Sequence, residues 1–222
     1  MITKDWKLYT SFYFYTLLLV GLGVAAVISE TRSLASILFL CLTGILLWGL
    51  FEYWLHRFVF HLDAQSEKGR NFIYALHAFH HANPKNTDDL FVSLRLSLPI
   101  TLLYCLLAWA ITRSWQAMVF LFIGLMAGYF SYEFLHYQAH HRAPRMRVFR
   151  YLKMYHLLHH HASSDLRFGV TSPLFDCLFG TFKSPRRNPI PKVRVSKNAK
   201  REDGEKRLPQ NPVSKITPVP WS

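Results

Sequence analysis

Four long apolar runs alternate with polar, basic segments along this chain of 222 residues. The runs contain no charged side chain and cover Leu8–Ser29, Ser33–Phe51, Leu96–Thr112 and Ser114–Tyr132. A helix needs about 20 apolar residues, and at least about 17, to cross a hydrocarbon core about 30 Å thick. The pattern therefore predicts four membrane-spanning helices, with Pro99 placed in the first turn of the third.

The polar breaks between the runs pair them into two hairpins. Tight turns at Glu30–Arg32 and at Arg113 hold only two of the 26 Lys and Arg residues. The others lie in the N-terminal stretch, the middle loop and the C-terminal part. Because cytosolic segments carry the excess of basic residues, both termini and the middle loop are predicted to be cytosolic. The membrane would be a bacterial inner membrane or the endoplasmic reticulum.

Composition narrows the fold class. Hydrophobic residues make up 51% of the chain and charged residues 18%, against about 25% charged in a typical soluble protein. This excludes disorder throughout and an ordinary soluble helical protein. Cys41, Cys105 and Cys177 are too far apart for a disulfide framework or a zinc ribbon. We therefore predict an all-α integral membrane protein with two transmembrane hairpins and a cytosolic, histidine-rich helical cap.

The net charge of +13 is concentrated partly in residues 183–222, which hold seven of the eleven prolines. This composition predicts a basic, disordered tail that either contacts anionic lipid or is simply solvated. Trp221 is the tail's single aromatic residue, so the stacking platform of a nucleic-acid binder is missing and we expect no nucleic-acid partner. The predicted organisation is residues 1–43 with the first span, a catalytic domain over 44–182, and the tail.

The twelve histidines are confined to four short windows, 56–61, 77–81, 136–141 and 156–161. In the predicted topology all four windows lie at the cytosolic ends of the spans. Positions i, i+3 and i+4 of a helix share one face. His77, His80 and His81 are therefore expected to project together, and the same spacing recurs in the last two windows.

The first window is different, because His56 and His61 are five residues apart. Either the helix ends between them or the two residues serve different metals. His141 and His161 are the extra members of their windows, and each is expected to support a ligand or to be unused.

This number of imidazoles points to a metal centre. Neutral imidazole suits Fe, Zn, Cu and Ni. Since one metal takes four to six ligands, the histidines imply two ions. The windows contain few carboxylates, which excludes the Glu-x-x-His pattern of ferritin-like bundles. A membrane metal carrier without catalysis is the alternative of another class, but it would place ligands along a path at the bilayer midplane.

Four carboxylates lie near the windows. Metal-bound histidines usually donate their second N–H to a carboxylate or carbonyl. Glu52 and Glu133 each precede a histidine by about one helical turn, and Asp165 and Asp176 follow the last window. We expect these groups to support the ligands; the alternative for Glu52 and Glu133 is a simple interfacial charge.

In order along the chain, the windows read H-x4-H, H-x2-H-H, H-x3-H and H-x2-H-H. With this pattern the sequence resembles the fatty acid hydroxylase superfamily, also called the sterol desaturase family, over about residues 44–182. Gly128–Tyr137 is similar to the Gly-Tyr…Tyr-Asp-x-x-His-Tyr segment of the fatty acid 2-hydroxylase branch. Phe168–Phe182 is similar to that branch's closing Phe-Gly-x-Thr…Asp-x-x-Phe-x-Thr segment. Glu133 stands where the branch usually has Asp.

The resemblance implies an oxygen-dependent di-iron enzyme that hydroxylates a lipid, with zinc possible in a purified sample. Tyr132, Glu133 and Asp176 are the expected catalytic residues. The metal ligands implied by the resemblance are His56, His61, His77, His80, His81, His136, His140, His156, His159 and His160.

The resemblance also bears on partners and substrate. No cytochrome b5-like domain precedes the first span of this sequence, so electrons are expected from a separate cytochrome b5- or ferredoxin-like protein. The implied reaction is fatty-acyl hydroxylation at C-2, on a free acid or a sphingolipid-type amide. Oxidation or desaturation of a sterol, a carotenoid or an alkylglycerol by the same site remains the alternative, because apolar span residues build the substrate slot.

Overall fold

The computed structural model describes residues 5–29, 31–86 and 92–185, and all regular structure in these ranges is helical. The predicted tail from residue 186 onwards lies outside the described residues. The helices are α1 (Asp5–Ile28), α2 (Leu34–Trp54), α3 (Glu67–Ile73), α4 (Phe79–Ala82), α5 (Leu94–Thr112), α6 (Trp115–His141), α7 (Arg147–His161) and α8 (Leu174–Leu178). Two π-helical stretches, Leu55–Phe60 and Tyr74–Ala78, extend α2 and α3.

Four helices are long and apolar enough to cross a membrane, as the sequence predicts. They are Thr10–Ile28, Leu34–Phe60, Leu94–Thr112 and Trp115–His141. The second and fourth have 27 residues each, and at 1.5 Å per residue such a helix is about 40 Å long, about 10 Å more than the hydrocarbon core. The surplus turns of both helices carry histidines. The protein is therefore an integral membrane protein, and the histidines within its second and fourth spans lie near the ends of those helices.

Helix α6 is the centre of the bundle. In its most apolar stretch 56% of the residues are buried, against 17% or less in the other three spans. Helices α1, α2 and α5 all pack on α6. Between α2 and α6 the backbones come close, because a Cβ added at Gly124 would collide with the carbonyl of Cys41. Small residues give this close approach where lipid, and not water, surrounds the helices.

The two hairpin turns lie together at the end of the bundle away from the histidines. Arg32 of the first turn donates a hydrogen bond of 2.8 Å to the hydroxyl of Ser114 in the second. Ser114 also caps α6 by accepting from the backbone N–H of Ala117. Arg113 takes a left-handed conformation with φ of 51°, which lets the chain reverse within two residues.

The predicted place of Pro99 in a first helical turn is wrong. Helix α5 begins at Leu94, so that Pro99 is its sixth residue and lies inside the helix. Proline has no N–H, so the carbonyl of Arg95 lacks its usual partner one turn later. The apolar run begins at Leu96, but the helix starts two residues earlier and includes the charged Arg95.

Candidate metal centre

Ten histidines converge into two clusters at one end of the bundle, and these are the ten predicted ligands. Within each cluster the candidate ligand atoms all lie within 4.8 Å of one another. Cluster I consists of His56, His61, His77, His81 and His159. Cluster II consists of His80, His136, His140, His156 and His160.

The imidazoles of each cluster meet through their Nε2 atoms. In cluster I the Nε2 of His77 lies 3.0 Å from that of His56 and 2.9 Å from that of His81. His61 and His159 approach each other in the same way at 3.1 Å. Their rings meet mostly edge to face, so that five nitrogen lone pairs point at a common centre.

Cluster II repeats this arrangement. The Nε2 of His80 lies 2.9 Å from that of His136 and 3.1 Å from that of His140. The Nε2 of His156 lies 2.9 Å from that of His140 and 3.0 Å from that of His160. The Nε2 atoms of His80, His140 and His156 therefore each lie close to two other Nε2 atoms. A hydrogen bond joins only two rings through one proton, so hydrogen bonding alone does not explain this arrangement.

The spacing of the nitrogens fits a metal ion. Ligand nitrogens stand about 2.0–2.1 Å from a divalent ion such as Zn²⁺. Two of them at a right angle are then about 2.9 Å apart, whereas tetrahedral ligands are about 3.3–3.4 Å apart. Nitrogens that share one ion therefore lie about 3–4 Å from one another, and the nitrogens of each cluster all lie within 4.8 Å. Each cluster is thus small enough to hold one ion.

Helical phase decides which histidine joins which cluster. At 100° per residue, position i+3 lies about 60° to one side of position i and position i+4 about 40° to the other side. His77 and His81 accordingly belong to cluster I, whereas His80 belongs to cluster II. In α7, His156 and His160 belong to cluster II and His159 to cluster I. Each triplet therefore projects to one end of the bundle, as expected, but divides its nitrogens between the two adjoining clusters.

His56 and His61 belong to the same cluster, and the alternative that they serve different metals is wrong. The stretch Leu55–Phe60 is π-helical, and His61 follows directly as its C-cap. The wide turn of a π-helix pairs residue i with residue i+5 and occurs often at functional sites. The π-helical turn brings the centroids of the two imidazole rings to 5.1 Å. In an α-helix, side chains five residues apart point to different faces.

The two remaining histidines lie in neither cluster. His161 is exposed on the surface. His141 is half-buried, and its ring stacks on Tyr137 with a centroid distance of 5.1 Å. This agrees with their treatment as the extra members of their windows.

Burial keeps the ligand histidines neutral, which is the form that binds metals. Desolvation, reinforced by neighbouring imidazoles, lowers the pKa of His80 to about 4 and that of His81 to about 3. The same two causes hold the pKa of His159 well below its usual value. Desolvation also lowers the pKa of His61, and the nearby exposed Asp165 opposes that shift.

The carboxylates reach the clusters through the backbone. Glu52 is buried and accepts hydrogen bonds from Val170 N–H and from the N–H and hydroxyl of Thr171. Both nitrogens of His56 are used elsewhere, Nε2 in cluster I and Nδ1 on the carbonyl of Phe168. Glu52 therefore makes no direct hydrogen bond to His56. It holds Val170 and Thr171, which belong to the same segment as the Phe168 carbonyl that contacts His56.

Asp176 and Glu133 also hold backbone. Asp176 accepts from the N–H groups of Phe168 and Gly169, both at 2.8 Å, and from the hydroxyl of Thr181 at 2.7 Å. Glu133 accepts from the N–H of Val92, just before α5, at 3.1 Å. Neither carboxylate belongs to either cluster, and Asp176 reaches His56 through the backbone of Phe168.

A deep apolar cavity of about 500 Å³ runs from the clusters into the membrane-spanning part of the bundle. We call this cavity the slot. It lies between α2 and α5, with α6 as its floor, and its lining includes His56 of cluster I. Tyr132 also lines the slot and stacks on His136 with a centroid distance of 5.4 Å. Of the three expected catalytic residues, Tyr132 is therefore the one that touches both the slot and a cluster.

The slot opens sideways. Its lining residues Trp54, Leu103 and Leu107 are about half exposed, at 51%, 58% and 54%. A polar group inside it, the hydroxyl of buried Tyr15, is hydrogen-bonded to the hydroxyls of Ser97 and Thr101. Because this hydroxyl is already hydrogen-bonded, the lining offers an acyl chain an essentially apolar surface. The half-exposed residues place the opening of the slot on the side of the membrane-spanning bundle.

Sequence reasoning missed three contributors to the site. The carbonyls of Leu166 and Phe168 accept hydrogen bonds from His159 and His56. A backbone carbonyl has no side-chain signal, so only the fold reveals this role. Trp48 lines the slot and donates to Glu52 at 3.2 Å; its spacing of four residues from Glu52 was the signal that could have found it.

Comparison with known proteins agrees with this geometry. The profile of the family described as fatty acid hydroxylase matches residues 41–181. The dihydroceramide fatty acyl 2-hydroxylase FAH1 of Arabidopsis thaliana is 39% identical over 168 residues, which cover 72% of this chain and 68% of that protein. The ceramide very long chain fatty acid hydroxylase SCS7 of Saccharomyces cerevisiae is 37% identical over 66% of this chain and 38% of its own length.

Human fatty acid 2-hydroxylase is 32% identical over 64% of this chain and 39% of its own length. The chain therefore spans less than half of the yeast and human relatives. A solved structure of full-length scs7p, in which only the hydroxylase domain is visible, superimposes with a TM-score of 0.72 at 30% identity. That likeness covers 84% of this chain and 69% of the other.

Proposed function

The chain belongs to the fatty acid hydroxylase family, and we propose that it is a membrane-bound, oxygen-dependent di-iron hydroxylase that acts at C-2 of a fatty-acyl chain. The observation that carries this proposal is the slot, whose apolar lining includes a ligand histidine. An acyl chain lying in the slot would have its polar end at the clusters. Carbons next to the carboxyl or amide group would then be the nearest to the metals.

The two clusters support two metal ions, with the ten histidines of clusters I and II as ligands. Iron is the ion expected for this chemistry, although the histidine set also binds zinc. When bound, the iron pair supplies the activation of dioxygen. Each cluster offers five imidazole nitrogens, and imidazole is a ligand that suits iron.

The net reaction defines the partners. A C–H bond of the acyl chain breaks and a C–O bond forms, with the oxygen coming from O₂. The second oxygen atom leaves as water, which requires two electrons and two protons. We propose that a separate cytochrome b5- or ferredoxin-like protein supplies the electrons.

The residues of this chain bind, orient and shield the substrate. The apolar slot holds the acyl chain and excludes water from the reacting carbon. Its open side between α2 and α5 admits a lipid directly from the bilayer. Tyr132, stacked on His136, is placed to contact the substrate next to the metals. Glu133 and Asp176 contribute by holding the backbone around the site.

The names of the relatives support the substrate class. They act on fatty acyl groups of dihydroceramide, on ceramide, or on fatty acids, and we infer the same class here. The concentration of Lys and Arg around the spans supports an active site on the cytosolic face, with both termini on the same side. The membrane is the endoplasmic reticulum or a bacterial inner membrane.

The test is mass spectrometry of total lipids from cells that express the wild type or His159→Ala, together with an electron donor. A 2-hydroxylated acyl species, heavier by one oxygen, is expected only with the wild type. Fragmentation locates the hydroxyl on the chain. Products oxidised on a sterol, carotenoid or alkylglycerol, or a loss of two hydrogens, would overturn the substrate or the reaction. Exchangeable metal without oxygen uptake would instead favour a non-catalytic metal carrier.

A further inference from the structure

The two clusters differ in what lies behind their rings. In cluster I, Nδ1–H of His56 donates to the carbonyl of Phe168 at 2.5 Å, and Nδ1–H of His159 donates to the carbonyl of Leu166 at 2.8 Å. Both acceptors belong to one irregular segment, residues 166–171, which we call the strap. These bonds fix the tautomer that leaves Nε2 free for a metal.

Three rings of cluster II differ in this respect. The Nδ1 atoms of His80, His156 and His160 are buried, and none has a hydrogen-bond partner within the part of the chain that the structure describes. A donated hydrogen bond from the far nitrogen fixes a ligand ring and makes it more basic. Three rings of cluster II therefore lack a stabilisation that two rings of cluster I have.

The strap is itself held by two buried carboxylates. Glu52, 5% exposed, accepts from Val170 N–H, Thr171 N–H and the Thr171 hydroxyl. Asp176, fully buried, accepts from the N–H groups of Phe168 and Gly169. The two carboxylates come from different helices and together accept hydrogen bonds from four consecutive N–H groups of the strap. The carbonyl of Phe168 is thereby set in place for His56.

We infer that Glu52 and Asp176 are positioning residues that act through the strap on cluster I alone, which makes the two metal sites unequal. Cluster I holds its ion more tightly, and cluster II releases its ion first. The inference rests on the proposed function only in that both clusters bind metal. It assigns to Glu52 and Asp176 a role in metal affinity, not in contact with the substrate.

The experiment is a titration of the metal-free, full-length protein in detergent with Co²⁺, in competition with a chelator of known affinity. The visible absorption of Co²⁺ reports the geometry of each site. The wild type is expected to bind in two resolved steps. Glu52→Gln and Asp176→Asn are expected to weaken the tighter step by about 10- to 100-fold, the usual effect of losing such support, and to leave the weaker step unchanged.

Ligand variants assign the two steps. His156→Ala removes a cluster II ligand, so the weaker binding step should be lost and the tighter step retained. His61→Ala removes a cluster I ligand, so the tighter step should be lost and the weaker step retained. Glu67→Gln is the control, because Glu67 is an exposed carboxylate of α3 that belongs to neither cluster. Both Co²⁺ affinities should be unchanged in that variant. Thr171→Val removes one 2.6 Å bond to Glu52 and gives a milder variant should Glu52→Gln fail to fold.

Two results would overturn the inference. One is equal affinity of the two steps in the wild type. The other is a parallel loss of both steps in Thr171→Val or Glu52→Gln, since that reflects a general disturbance and not a link to cluster I. The Co²⁺ titration does not depend on turnover. Unequal binding without any hydroxylated lipid would uphold the inference and defeat the proposed hydroxylase.

Discussion

His81 and His160 stack face to face, with ring centroids 4.0 Å apart and planes inclined by 15°, although their Nε2 atoms face different clusters. His81 meets His77 in cluster I, and His160 meets His156 in cluster II. The stacked pair is thus a common wall between the two candidate metal sites. Two ions held on either side of this wall would be neighbours, as a reaction shared between them requires.

Adjacent histidines of α7 should behave differently on substitution. His160→Ala removes a cluster II ligand, and we expect the purified protein to lose one metal ion and its hydroxylase activity. His161→Ala removes an exposed ring outside both clusters, so metal content and activity should stay near wild type. Elemental analysis with a lipid assay makes the comparison. Equal metal loss in both variants would contradict the cluster assignment.

Replacing the metal should separate folding from activity. Chelation is expected to abolish hydroxylation, and Fe²⁺ to restore it under reducing conditions with the donor present. Zn²⁺ should refill the histidine clusters without restoring activity, because zinc has no redox chemistry. The measurements are thermal unfolding and product formation on the same samples. Full activity of a zinc-loaded, iron-free protein would rule out the di-iron proposal.

The slot should limit the length of the acyl chain. Leu107 lines the slot about 10 Å deeper than Ile100, at 1.5 Å per residue of α5. Leu107→Trp is expected to cut turnover of the longest chains by about tenfold or more, because a displaced substrate loses its reactive geometry, while sparing shorter chains. Ile100→Trp should affect all lengths.

The control for this series is Leu106→Trp. Leu106 is 62% exposed and is not part of the slot lining. Its substitution by Trp should leave the chain-length profile unaltered. If Leu106→Trp and Leu107→Trp gave the same profile in competition assays with mixed acyl chains, the slot would not be the acyl site.

The contact between α2 and α6 should tolerate no side chain at Gly124. A Cβ there collides with the backbone carbonyl of Cys41, so Gly124→Ala is expected to lower the free energy of unfolding by about 1–3 kcal/mol. Gly21→Ala is the control, since a Cβ at Gly21 meets no atom within 4 Å. Thermal unfolding in one detergent compares the two. Equal melting temperatures would show that the helices do not approach this closely.

The basic tail should be dispensable for catalysis. Arg167 donates to the carbonyl of Lys183 at 3.0 Å, and Pro185 is buried. A stop codon after residue 187 therefore keeps these contacts and removes most of the segment predicted from residue 183 onwards. We expect turnover in detergent to be largely retained. A folded truncated protein without activity would assign the tail a role in the reaction.

Much of the architecture could be read from the sequence. The apolar runs are long enough to leave no alternative to membrane helices, and the short polar breaks fix the turns. Helical spacing of three or four residues identified eight members of the clusters, and the resemblance to the fatty acid hydroxylase superfamily added His56 and His61. The prediction for Pro99 is wrong because the apolar run begins after the charged Arg95, whereas the helix includes that residue.

The tertiary structure decided how these parts combine. Spacing separates the i+3 histidine of a triplet from the pair at i and i+4, but how the segments face each other decides which histidines of other segments complete each cluster. The pairing of His56 with His61 depends on a π-helical turn that local composition does not specify. The carbonyls of Leu166 and Phe168 act through backbone atoms, which every residue has. The sequence by itself determined the membrane helices and the supply of ligands. Packing determined which histidines from different segments share a cluster, because that depends on distances between segments far apart in the chain.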